Sequence, residues 1–216
     1  MSEGALVRRT VRTGGILLVL GAVQFIVAMI VVQSKYPGYS LSQNYISDLG
    51  GANSPWALVF DASVIVLGIC AIFGVLLIWE AFAPGGARGF GLIFLFIAGI
   101  GAVGVGVFPE TTPVLNGGMH DIMSDVAFIG AGLGLLILSF AMPGPRWHIS
   151  RPLTRICGIV TLVAIVFFTA GIYPVLGPGG MERLIVAPIL LFAIVEGIHL
   201  ARLPRFAATA PVVTTV

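Results

Sequence analysis

Long apolar runs and short polar breaks alternate along this chain, and the runs have the length of membrane-spanning helices. Six of them cover about residues 14–33, 56–82, 89–108, 119–142, 153–173 and 181–203. A hydrocarbon core about 30 Å thick takes about 20 residues of helix to cross. Within it, irregular backbone facing lipid would leave polar groups unbonded. The pattern therefore predicts an all-α integral membrane bundle of six transmembrane helices. Residues 1–13 precede the bundle as a basic segment, and residues 204–216 follow it as a flexible tail. The first run is too long for the apolar stretch of a signal peptide and has no small-residue cleavage pattern after it, so it reads as an uncleaved helix.

The breaks carry chemistry that stops helices. Ala83-Pro84-Gly85-Gly86 separates the second run from the third, and a Pro/Gly/Arg connector at 143–152 separates the fourth from the fifth. Proline and glycine both interrupt helical geometry. Three helices are expected to end in an aromatic–proline pair: Tyr36-Pro37, Phe108-Pro109 and Tyr173-Pro174. The ring suits a membrane interface and the proline cannot continue the helix. The longest break, residues 37–55, gathers Ser42, Gln43, Asn44, Tyr45, Ser47 and Asp48 between two apolar runs.

Composition sharpens this picture. Charged residues make up 9% of the chain and apolar ones 58%, with a mean hydropathy of +1.08. A soluble domain is about a quarter charged, so this chain could not cover a water-facing surface. The net charge of +2 does not imply nucleic-acid binding, because the basic residues lie in short segments beside the apolar runs. With the N-terminus cytoplasmic, Arg8, Arg9, Arg12, Arg88, Arg146, Arg151, Arg155, Arg202 and Arg205 fall on or near the cytoplasmic side. Lys35 and Arg183 are the exceptions among 11 basic residues. The asymmetry predicts cytoplasmic termini and an extracytoplasmic 37–55 loop. Cys70 and Cys157 sit inside apolar runs, where a free cysteine behaves as a small hydrophobe. Gly130 with Gly134, and Ala98, Ala102 and Gly106, are spaced for close helix packing.

Ionisable residues inside spans need a partner or water. Asp61 falls about five residues into the second helix, roughly 8 Å deep. His120, Asp121, Ser124 and Asp125 occupy the first two turns of the fourth, and Glu182 and Arg183 open the sixth. With Glu110 and the 37–55 loop they gather at the outer end. The candidate ligand-binding pocket is therefore Ser47, Asp48, Asp61, His120, Asp121, Asp125, Glu182 and Arg183. Such a set could hold an ion, act as an acid/base pair or bind a cationic head group. It could equally be structural, with Asp121 and Asp125 favoured by the helix N-terminus, Asp61 bonded to neighbouring backbone or to Arg183, and the remainder solvated in loops. At the inner end, Glu196 and His199 are expected in an ion pair with a snorkelling Arg202. No metal site is expected, the cofactor is unknown, and no P-loop, nucleophile elbow or His-Glu-x-x-His is present.

Four segments together resemble a known family: Tyr39-Ser40-Leu41-Ser42-Gln43-Asn44-Tyr45-Ile46-Ser47-Asp48-Leu49-Gly50, Val107-Phe108-Pro109-Glu110, His120-Asp121, and Gly180-Met181-Glu182-Arg183-Leu184. The chain is similar, over about residues 14–203, to the prokaryotic six-helix membrane proteins catalogued as domain of unknown function 998. The resemblance implies a prokaryotic plasma membrane and no established activity. A zinc site like that of seven-helix ceramidase-type hydrolases is not expected, since the three histidines are scattered and lack a His-x-x-x-His pair.

Three functions follow from these observations. The leading one is an extracytoplasmic polar pocket for a small ligand, lipid head group or ion. The alternatives are an intramembrane lipid-modifying enzyme using His120 and an aspartate, and an accessory subunit whose outer loops dock a protein partner. The lipid bilayer is a partner in all three.

Overall fold

The computed structural model describes residues 3–202. Among these residues the chain is all-helical. Its long helices are α1 (Glu3–Lys35), α2 (Ala57–Leu77), α3 (Gly86–Val107), α4 (Gly118–Leu138), α5 (Ser150–Thr169) and α6 (Gly177–Ala201). All six are long and apolar enough to cross a membrane. Short 3₁₀ turns fill the breaks at Ser47–Gly50, Trp79–Ala81, Val114–Gly117, Ser139–Ala141 and Pro145–Trp147.

Each helix packs on the next in sequence, and α1 packs on α6, so the six close into a ring. Short connections make consecutive helices antiparallel neighbours. Ring closure depends on a contact that only small residues allow. A Cβ on Gly15 would lie 2.6 Å from the Gly197 carbonyl oxygen, and one on Gly197 would lie 2.6 Å from that of Gly15. The two backbones touch with no side chain between them, as small-residue interfaces permit in lipid.

The helix limits differ from the apolar runs in instructive ways. α1 begins at Glu3 rather than near residue 14. Hydropathy registers the part of a helix that lies in lipid, whereas arginine continues a helix as readily as leucine does. α2 stops at Leu77 rather than near residue 82, and the chain tightens into the Trp79–Ala81 turn. There Phe82 stacks on Trp147, ring centroids 5.2 Å apart, and Arg146 Nη2 donates to the Ala81 carbonyl at 2.5 Å. α5 ends at Thr169, four residues before Tyr173. α6 begins at Gly177 with a proline in its first turn, where the missing amide hydrogen costs nothing. The tail at 204–216 lies outside the described residues.

The two ends of the bundle are built differently. The end carrying both termini is knit by side chains and by a backbone bond, Ala83 N–H to Ala141 carbonyl at 3.0 Å. Its apolar core includes Val11, Ile78, Phe82, Leu138, Met142, Trp147 and Leu200. The opposite end is capped by the 37–55 segment, whose Ile46 and Leu49 are buried with Phe25, Val32, Phe60 and Leu190.

Candidate functional site

The 37–55 segment closes over the bundle because the start of α6 grips it. Arg183 Nη1 donates to the carbonyls of Leu41 at 2.9 Å, Asn44 at 3.1 Å and Gly179 at 2.8 Å. Its Nη2 donates to the Tyr39 hydroxyl at 2.7 Å. A guanidinium suits this task because its donors are fixed in a plane and remain charged. Glu182, one residue earlier and only 6% exposed, turns inward and accepts the Ile46 amide hydrogen. The two neighbours thus serve opposite sides of the helix, one holding loop carbonyls and the other a loop amide. The Gly179 amide donates to the Ser42 carbonyl at 3.0 Å, and a Cβ on Gly179 would collide with the Asn44 carbonyl oxygen. Glycine at 179 is what lets the segment dock onto helix backbone.

Asp48 stabilises the segment from within, accepting hydrogen bonds from Asn44 Nδ2 and the Tyr45 amide, both at 2.9 Å. Asn44 in turn accepts from the Ser40 amide at 3.0 Å and donates its own amide to the Ser40 carbonyl at 2.8 Å. Tyr39 donates its hydroxyl to the Tyr45 carbonyl at 2.7 Å. Burial, first of all, pushes the Tyr39 phenol above its ordinary value. The Arg183 hydrogen bond and charge pull the other way, and the negative charges of Glu182 and Asp48 add to the rise. Burial likewise raises Tyr45, helped by its neighbour Tyr173.

Beneath this roof lies a cavity of about 150 Å³. Ile46 and Ser47 line it from above. Below them its walls are almost entirely apolar, from Phe25 and Phe60 through Val64, Ala98 and Ala102 to Val75, Leu95 and Phe192. Residues of α1, α2, α3, α4 and α6 contribute, and α5 does not. Phe60 and Val75 are fifteen residues apart on α2, so lining residues come from both halves of that helix. The polar side chains on it are Ser47, Ser124 and Glu182. It is a narrow apolar slot with its carboxylate at the roofed end.

Of the eight residues singled out from the sequence, Ser47 and Glu182 line this cavity. Arg183 and Asp48 shape its roof. Asp61 packs its carboxylate against Gly50, and Glu110 comes close to Gly51, 3.5 Å from where a Cβ would stand. His120 is buried and its Nδ1 bonds the Phe108 carbonyl at 2.9 Å, pinning the end of α3 to the start of α4. Asp121 and Asp125 are exposed on α4. The eight therefore act at several places, and the cavity is apolar where a polar pocket was expected. Among the described residues, no three His, Cys, Asp or Glu side chains group as metal ligands. Ser124, which the sequence places in the first two turns of α4, lines the cavity as well. The apolar wall residues carry no sequence signal that separates cavity lining from ordinary packing.

The other end of the bundle corrects a second expectation. Glu196 is fully buried; the Ser150 hydroxyl lies close enough to act on its carboxylate, though neither oxygen has a well-formed hydrogen bond. It makes no ion pair with Arg202 among the described residues. Thr154 Oγ1, Trp147 Nε1 and His199 Nε2 are also buried without a hydrogen-bond partner. The Trp147 and His199 rings lie 5.1 Å apart. The expected pairing fails because Arg202 ends α6 exposed, in a groove beside α1, whereas Glu196 faces inward.

No curated protein and no solved structure matches the chain. The matching family model, described as "Protein of unknown function (DUF998)", covers residues 19–199, the six-helix region that contains both the roof and the cavity, and the chain belongs to that family.

Proposed function

We propose that this multi-pass membrane protein binds an amphiphile, with the apolar tail in the central slot and the polar end beneath the 37–55 segment at Ser47 and Glu182. The observation carrying the reading is the slot itself: a cavity of about 150 Å³, apolar, and roofed by a segment that hydrogen bonds hold down. Sites for small molecules are typically apolar concavities with a few placed polar groups that set orientation. An apolar cavity of this kind gains little from water and much from an apolar occupant. Binding is preferred over catalysis because neither His120 nor Asp48 lines the slot. The apolar walls support an apolar tail in addition to the small ligand, lipid head group or ion that the sequence suggests.

Ala102→Phe places a ring in the slot and tests the reading. Thermal melting of the purified protein should rise on addition of hexanol, a neutral amphiphile whose tail matches the volume and whose hydroxyl can face Glu182. In Ala102→Phe that rise should vanish, while the melting temperature without the alcohol stays equal or higher. Melting of the native protein that ignores the alcohol, or a response that survives the filled slot, would overturn the proposal.

A further inference from the structure

At the end carrying the termini, α1 and α6 enclose a second concavity of opposite character. Arg8, Arg9, Arg12 and Arg202 line it with Ala5, Val11, Leu200 and Ala201, around a volume of about 550 Å³. Three of the arginines come from α1, and the fourth ends α6. The helices that touch backbone to backbone at Gly15 and Gly197 thus diverge below that contact and leave a groove edged by guanidinium groups. None of the four lies within ion-pair distance of a carboxylate among the described residues.

Position adds a second observation. α1 has 33 residues, hence a length of about 50 Å against a hydrocarbon core of about 30 Å. Its first turns must project past the apolar layer, and Arg8 and Arg12 lie one helical turn apart within that projecting part. The groove therefore opens at the level of lipid head groups. Guanidinium groups bind phosphate through paired, charge-assisted hydrogen bonds. Basic pockets between membrane helices are suited to anionic head groups.

We propose that this groove is a binding site for the phosphate of an anionic phospholipid, held by Arg8, Arg12 and Arg202. It is separate from the apolar slot and does not depend on what the slot binds. Arg9 adds positive potential at its edge. The lipid's acyl chains then lie along the outside of the α1–α6 contact, so one bound lipid covers the place where the helical ring closes.

The test uses the full-length chain in neutral detergent, with binding counted by native mass spectrometry. Phosphatidylglycerol should bind more tightly than phosphatidylcholine. Each juxtamembrane arginine contributes about a fivefold gain in affinity, so Arg12→Gln with Arg202→Gln should weaken binding about 25-fold. Arg12→Lys should retain most of it. Arg88→Gln is the control, because Arg88 lies outside the groove and faces Glu80 at 3.6 Å; it should leave binding unchanged. Equal affinity for the two lipids, or an equal loss in Arg88→Gln, would overturn the site. Should the double variant fail to fold, competition decides instead. Inorganic pyrophosphate displacing the lipid at comparable concentration would assign the groove to a soluble phosphate, whereas failure to displace it supports the lipid.

Discussion

The Tyr39 hydroxyl donates to the Tyr45 carbonyl and accepts from Arg183, so one phenol joins the 37–55 segment to itself and to α6. Its pKa is held above the ordinary phenol value of about 10, chiefly by burial. The folded protein therefore retains a proton that the unfolded chain releases. The linked stability is complete below pH 10 and declines as pH climbs from 10 toward the raised value. Proteolytic cutting within 37–55 should accelerate in that alkaline window. Tyr39→Phe should raise cutting already at neutral pH, through loss of about 1–2 kcal/mol of hydrogen bonding, and flatten the alkaline rise to the part due to Tyr45. A wild-type rate constant across pH 9 to 11 would contradict this assignment. Glu196 presents the opposite situation, a fully buried carboxylate that faces the Ser150 hydroxyl and no opposite charge among the described residues. Removing one member of a buried ion pair typically costs about 3–5 kcal/mol. Replacing a buried carboxylate that lacks a charged partner with an apolar side chain of similar size should instead be neutral or stabilising. Glu196→Met is expected to melt at the wild-type temperature or above, and a marked fall would reveal a charged partner for the carboxylate.

At the scale of elements, the ring depends on the α1–α6 contact, which joins the two helices farthest apart in the chain. Gly15 and Gly197 face each other with 2.6 Å between a built Cβ and the opposing carbonyl. Backbone cannot yield as a side-chain tip can, so Gly197→Leu must push the helices apart. Overpacking of this kind costs about 1–3 kcal/mol, occasionally more. The larger effect should appear as loss of compactness. Disulfide trapping between cysteines introduced at Val19 of α1 and Ala193 of α6 should fall in the Gly197→Leu background. Trapping as efficient as in the parent would show that the helices tolerate the side chain. Gly4 has nothing within 4 Å of a built Cβ, and a leucine there should change neither measurement.

For the whole molecule, we propose from the distribution of arginines that the 37–55 segment faces the extracytoplasmic side and both termini the cytoplasm. Asn53 in that segment and His148 in the opposite connector are both exposed, and they serve as reporters of sidedness. In a background lacking Cys70 and Cys157, Asn53→Cys should react with a membrane-impermeant thiol reagent in intact cells. His148→Cys should react only after the membrane is opened. The reverse pattern would invert the topology, and would place the arginine groove in the outer leaflet.

Much of the molecule was legible in its sequence, and the reason lies in the solvent. Lipid forces every span to satisfy its own backbone, so run length and hydropathy suffice to count six helices, and proline, glycine and aromatic residues mark where they turn. The family followed from polar segments at span ends. Helix limits were less legible, because Arg8, Arg9 and Arg12 continue α1 in water where hydropathy is silent. The site depended on facing, which spacing along one helix cannot give. Glu182 and Arg183 are adjacent, yet one meets the Ile46 amide and the other three acceptors of the same segment and the Gly179 carbonyl of α6. Glu196 and Arg202 are six residues apart on one helix, yet one is sealed inside and the other edges a groove. His120 spends Nδ1 on the Phe108 carbonyl. The number of helices, their membrane setting and the polar character of the 37–55 segment come from the chain alone, because they follow from local chemistry against a bilayer. Tertiary structure decided that this segment is a roof, that the space beneath it is apolar, and that four arginines share a groove, because each depends on which faces of distant helices meet.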